Sequence, residues 1–417
     1  MQRSRIVLVT VIVLAVIGIA LFSRVSESRA KSSSALIAAI QSPDRTTDHT
    51  RYLASISASI KGADVNCRDE DGNTPLMIAA KMGDAETMQV LIAHGASVNA
   101  TTSALAYIAR SRSRGQLFRT KAGITALIYA AGSGHSDCVD LLLKNGADVN
   151  NADIDGYTAL HRAASVGDAV CMKMLLDKGA KMSETAQDGS NALINAAIAR
   201  SPACVALCLD NGANVNAKTV AGEEALQAAA GNVQCLQLLL AHGADVNHQD
   251  VNGDTVLALE CSSGHAQGVD LLLSHGADPN VAETNGVTPL MYAAGVPSTA
   301  CVSMLLSHGA KASATTNYGG AAIFRAAAAY RASPTASADV IKLLIDHGAD
   351  VNCKTARGET PLMIAASNGD TDTVRLMIKH GANTSALSNQ GMSALDAAVI
   401  SHHSDVANIL KRSPSTS

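Results

Sequence analysis

Short apolar runs with helical spacing alternate with polar, glycine-bearing stretches along most of the chain. Gly62–His94 shows the pattern in full. Leu76, Ala79 and Ala80 recur at helical spacing, Gly83 breaks the run, and Val90, Leu91 and Ile92 give a second apolar face. Thr74 stands at the N-cap of the first predicted helix, with Pro75 at N1, where its missing N–H costs nothing. Asp84 can cap the second helix, and Gly95 supplies the left-handed residue that ends it. Asp64–Gly72 is rich in turn formers and too polar for a core. The predicted unit is a turn followed by two short helices.

That unit recurs. A Gly-Ala pair begins at Gly62, Gly95, Gly146, Gly179, Gly212, Gly243, Gly276, Gly309, Gly348 and Gly381, and six of the nine spacings are 33 residues. The others are 31, 39 and 51, and the extra residues of the 39-residue spacing, near Tyr330–Ser337, extend the loop between helices. A fixed period of this size predicts stacked units, each touching only its neighbours, and an elongated solenoid with one continuous apolar spine. The apolar position represented by Leu76 also occurs at Leu36, Leu127, Leu160, Leu193, Leu226, Leu257, Leu290, Ile323, Leu362 and Leu395, which predicts eleven units.

The chain resembles the ankyrin-repeat family. The family's TPLHxAA stretch appears at Thr74–Ala80, Thr288–Ala294 and Thr360–Ala366, with Met where the family usually has His, and His161 alone keeps that His. The GADVN ending is intact at Gly62, Gly146, Gly243 and Gly348. The resemblance covers roughly residues 34–413. It implies an all-α, ankyrin-type helix-turn-helix solenoid with turn or β-hairpin connections.

Composition fits thin helix pairs. Aromatics are 2%, Trp is absent and charged residues are only 16%. The net charge of −4 gives the chain as a whole no field for a polyanion, so no nucleic-acid partner is expected.

Ile6–Phe22 is an uncharged run of seventeen residues after Arg3 and Arg5. As a helix it spans about 25 Å, slightly short of the ~30 Å hydrocarbon core, yet it exceeds a typical signal-peptide core. A single N-terminal membrane helix is the preferred reading, and a cleaved signal is the alternative. The expected division is residues 1–25 as signal anchor or signal peptide, 26–34 as a linker with Ser32–Ser34 as tether, 35–413 as solenoid, and 414–417 as tail. Arg24, Arg29 and Lys31 after the run nearly balance the positive charge before it. The short basic N-terminus favours repeats on the exported side, periplasmic in a bacterium. Secretion after cleavage and a cytoplasmic-facing array are the alternatives.

Five of the nine cysteines (Cys138, Cys171, Cys204, Cys235 and Cys301) lie eight residues before their unit's Gly-Ala, a shared core position that suits neither metal nor disulfide. His94, His242, His275, His308, His347 and His380 directly precede Gly-Ala, where an imidazole can bond terminal carbonyls. Glu260 stands where other units carry Ala, and reads as a tolerated substitution reaching solvent. No phosphate loop, nucleophile elbow or zinc-protease motif occurs, so no enzyme, catalytic residue, cofactor or metal is expected.

The remaining signal is surface. In ankyrin-repeat proteins partners bind along the concave side, through turn tips and the exposed positions of the first helices. By register those positions include Arg68, Glu70, Asp71, Asn73, Lys81 and Met82, then Ile154, Asp155, Tyr157, Val166, Gln187 and Asp188. Tyr129, Arg162, Asn195 and Tyr292 follow the Leu-type position by two residues. Tyr129, Ile154, Tyr157, Arg162 and Val166 form the candidate anchor cluster, since Tyr and Arg are enriched in hot spots. A turn insertion, Thr101–Lys121, carries Arg110, Arg112, Arg114, Arg119 and Lys121 with Phe118 and no acid. The sequence predicts a membrane-tethered, monomeric scaffold for a protein partner. The alternative is a polyanion or anionic-lipid binder acting through this basic finger.

Overall fold

The computed structural model describes residues 26–42, 49–103, 122–331 and 333–413. They form paired short helices joined by turns. In chain order the pairs are 26–40 with His49–Ile60, Pro75–Met82 with Ala85–Ala93, Ala126–Gly132 with Ser136–Lys144, and Ala159–Ser165 with Ala169–Asp177. Ala192–Ile198 with Pro202–Asp210, Ala225–Ala228 with Val233–Ala241, and Val256–Ser263 with Ala266–Ser274 continue the series. Pro289–Gly295 with Thr299–Ser307, Ala322–Ala328 with Pro334–Asp346, Pro361–Asn368 with Thr371–Lys379, and Ala394–Ile400 with Ser404–Arg412 complete it.

Two compact units are distinguished. One holds the chain to Ala199 together with Ala206–Ala213; the other holds Arg200–Val205 and Asn214 onward. Within each, first helices pack on first helices and second helices on second helices of the adjacent repeat. The core is the line where they meet. In the first unit it holds Leu76, Ala79, Met88, Leu91, Leu127, Cys138, Leu142, Leu160, Cys171 and Leu175. In the second, Leu226, Cys235, Leu257, Cys301, Ile323 and Leu362 continue the same positions.

Local chemistry sets the boundaries. The side chains of Thr74, Thr125, Thr255, Thr288 and Thr360 each accept the N–H three residues on, which satisfies an orphan donor of the first turn. Asp84, Asp168, Asn232, Ser298 and Asp370 do the same for second helices. The imidazoles of His94, His242, His275, His308 and His347 place Nδ1 2.8–2.9 Å from the carbonyl four residues back.

Two sets of hydrogen bonds tie adjacent repeats. The Asn of the GADVN ending, as in Asn247, donates to the next repeat's glycine carbonyl (Gly276, 3.1 Å) and accepts the N–H two residues later (Asp278, 2.8 Å). Turn tips bond one another through backbone: Ile154 N–H to Ala122 O at 3.0 Å in the first unit, Val251 N–H to Ala221 O at 3.2 Å in the second. Isolated antiparallel bridges such as Ala152 with Thr158 take the place of a continuous hairpin.

Several expectations are corrected. Residues 26–34 are helical instead of a flexible linker; Ser33 is buried in that helix and its hydroxyl accepts the Asp64 N–H at 3.0 Å. In the helix Ala85–Ala93 the core-facing side chains are Thr87, Met88 and Leu91, with Val90 and Ile92 half-buried beside them. The extra residues near Tyr330–Ser337 extend a helix, Pro334–Asp346, because Ser337 is buried and its hydroxyl donates to Ala326 O. The 31-residue spacing shortens a first helix to Ala225–Ala228.

Glu260 does not reach solvent. Its side chain is 1% exposed, accepts the Gly231 N–H, and lies 3.3 Å from Nδ1 of His265. Burial raises its pKa, against which Gly231, His265 and Arg200 act. No helix among the described residues is long and apolar enough to cross a membrane, and Ile6–Phe22 lies outside them.

Candidate functional site

The face carrying turn tips and first helices holds a pocket of about 370 Å³ in the first unit. Lys81, Ile124, Ile128, Tyr129, Asp153, Ile154, Asp155 and Arg162 line it, with Gly132 and Ser133 at the end of a first helix. Gly132 opens the space: a Cβ there would stand 3.3 Å from Cβ of Arg162. Three predicted site residues, Tyr129, Ile154 and Arg162, therefore converge on one cavity although they come from two repeats.

Tyr129 stands half-buried in the wall. Its hydroxyl donates to Asn73 Oδ1 at 2.9 Å, and Lys81 Nζ lies 5.6 Å from its ring centre. Burial, with Asp69 and Asp71 nearby, pushes its hydroxyl up to about 12. Ile154, 46% exposed at a turn tip, gives the opposite wall an apolar surface.

Arg162 is more constrained than its hot-spot character implies. Its Nη2 donates to Asp153 Oδ2 at 2.7 Å, and its guanidinium carbon lies 4.3 Å from the Tyr157 ring centre. Asp153 is buried; its Oδ1 accepts the Asp155 and Tyr157 N–H groups at 3.1 and 2.9 Å. Arg162 thus neutralises a buried carboxylate while one edge still faces the pocket. Tyr157 leans away, its hydroxyl donating to Asp188 Oδ2 at 2.6 Å with Ser190 Oγ at 3.0 Å. Burial, then Asp188, raises the Tyr157 pKa.

The other predicted positions separate. Val166 is 49% exposed at the end of its helix and is not among the pocket's lining residues. Arg68 ties two repeats, donating to Gly72 O and Thr101 O at 2.6 and 2.7 Å. Asn195 is buried, and among the described residues its Nδ2 has no hydrogen-bond partner. Arg110, Arg112, Arg114, Phe118 and Arg119 lie outside the described residues. The ends of their insertion are joined: Thr102 N–H donates to Ile124 O at 2.9 Å and Gly123 N–H to Thr102 O at 3.1 Å. A second cavity of about 830 Å³ lies against helix 26–40, lined by Arg29, Arg68, Asp64, Asp69, Glu70 and Asp71 among others, without tyrosine.

The family model described as ankyrin repeats (3 copies) matches residues 19–102, 36–119, 105–186, 171–250, 231–316, 256–355 and 324–415. A Caenorhabditis elegans transient receptor potential cation channel subfamily A member 1 homolog is 33% identical over 136 residues, covering 29% of this chain and 11% of that protein. The Mus musculus ankyrin repeat domain-containing protein 63 is 38% identical over 101 residues, 20% of this chain and 26% of that protein. The chain thus spans a minor part of either relative. The crystal structure of the human ASB11 ankyrin repeat domain is similar at 27% identity and a TM-score of 0.48, covering 57% of this chain and 98% of that one.

Proposed function

The chain belongs to the ankyrin-repeat family, and from that premise we propose that it is a non-enzymatic scaffold whose partner protein docks on the pocket-bearing face of the first unit. The observation that carries this is the convergence of Tyr129, Ile154 and Arg162 on one cavity. Its walls are apolar through Ile124, Ile128 and Ile154, and Arg162, the one arginine among its described lining residues, already has a carboxylate. A large apolar or aromatic side chain of the partner fits these walls, with Lys81 and Asp155 as a polar rim.

Two finer features belong to the same proposal. Ile6–Phe22 tethers the repeats, of which there are eleven, to a membrane; the support is its uncharged run. The basic finger steers an acidic partner toward the pocket, because the insertion re-enters through Ala122 and Ile124, both pocket-lining. The polyanion or lipid alternative gives the finger all of the binding instead.

Affinity capture from the native membrane fraction with full-length protein tests the reading. Tyr129→Ala with Ile154→Asp removes a partner that the parent chain retains. A partner retained by this variant, yet lost when Arg110, Arg112, Arg114 and Arg119 become serine, would install the polyanion alternative.

A further inference from the structure

The run GITALIYAAG at Gly123–Gly132 returns in the second unit as GVTPLMYAAG at Gly286–Gly295. The register holds without a gap into the following repeat, so Tyr292 corresponds to Tyr129 and Arg325 to Arg162. The geometry follows. A Cβ on Gly295 would lie 3.7 Å from Arg325 Cδ, as one on Gly132 would lie 3.3 Å from Arg162 Cβ. The Arg325 guanidinium carbon stands 5.5 Å from the Tyr292 ring centre.

The copies differ in what neutralises the arginine. In the first, Asp153 binds Arg162 and Tyr157 stacks on it. At the corresponding positions of the second stand Thr316 and Gly320, which offer neither carboxylate nor ring. Thr316 keeps only the backbone half of the arrangement: its Oγ1 accepts the Gly320 N–H at 3.0 Å, as Asp153 Oδ1 accepts that of Tyr157. Arg325 is exposed, and among the described residues it forms no ion pair within 4.0 Å. Where Asp155 edges the first pocket, the second copy places Tyr318, 74% exposed.

We propose that Arg325, stacked on Tyr292, anchors a carboxylate side chain of an acidic partner segment, supplying from outside what Asp153 supplies internally in the first unit. Tyr318 lies by register beside that carboxylate and covers its apolar stem. Glu283 and Asp254 lie near Tyr292, whose hydroxyl burial and Glu283 push up to about 12. Their charge disfavours a phosphate dianion more than a single carboxylate. This rests on the scaffold reading and names the chemistry of a second contact within it.

Selection of a random dodecapeptide display library on the full-length chain tests the proposal. Recovered binders are expected to carry Asp or Glu. Changing that acid to its amide, or Arg325→Gln in the protein, weakens them at least about tenfold, the loss of a charge-assisted pair. Thr316→Asp, which restores the internal carboxylate, gives the same loss with the fold intact by circular dichroism. Binders without an acid, or binders sensitive to Ile154→Asp but indifferent to Arg325→Gln, overturn the anchor and leave the scaffold reading standing. Recovery of no peptide overturns both.

Discussion

At position 260 the chain places a carboxylate where its other repeats place a small residue, and Gly268 admits it. A Cβ on Gly268 would collide with Glu260 Oε2. Gly268 occupies the position that is Cys138, Cys171, Cys204, Cys235 or Cys301 in other repeats. Gly268→Cys alone is therefore expected to cost about 2–3 kcal/mol through overpacking. Adding Glu260→Ala should recover most of it, so thermal melts of the cycle are strongly non-additive; additive losses would contradict the packing. Asp254 gives a pH signature. Burial, then Glu283, raises its carboxyl to about 6 from 3.8. A folded pKa above the unfolded one means stability present below pH 4 and lost as pH rises through 6. Asp254→Asn should raise the melting temperature at pH 7.5, and the gain should vanish by pH 4. The cysteine register was legible in the sequence because one position recurs. The Glu260–Gly268 exchange was not, since its halves sit on different helices and each looks like simple degeneracy alone.

Among elements, the helix caps and ends were readable because a cap needs only one residue type at one position, as at Thr74 and Gly95. The asparagine tie was missed: GADVN marks the repeat, but its inter-repeat bonds depend on three-dimensional stacking. Asn247→Ala is expected to cost roughly 1 kcal/mol, the usual net worth of such bonds, and to speed amide exchange at Asp278. Ser183 stands where Asn247 does in its repeat. Ser183→Asn should slow exchange in the repeat that follows; unchanged exchange in both variants would deny the tie its role. The helix Pro334–Asp346 also escaped the sequence, where its extra residues read as loop. Burial of Ser337 beneath the preceding helix made the difference.

For the molecule, the period established the architecture and pointed to one face, but it did not distinguish a free side chain from a committed one. Arg162 looked like an anchor; it holds the buried Asp153. Arg162→Ala should cost on the order of 2 kcal/mol of first-unit stability, since it strands that carboxylate. Thermal unfolding would show it, and a neutral melt would contradict the clamp. Tyr129 and Ile154 are the cleaner probes, because neither neutralises a buried charge. The most direct measurement is site-specific photocrosslinking in the native source. A benzophenone amino acid at Ile154 reports on the pocket, and one at Lys173, on the second helix Ala169–Asp177, serves as reference. A discrete protein adduct is expected from position 154 and none from 173. Equal adducts from both, or only lipid or nucleic acid at 154, would rule out a protein-docking pocket.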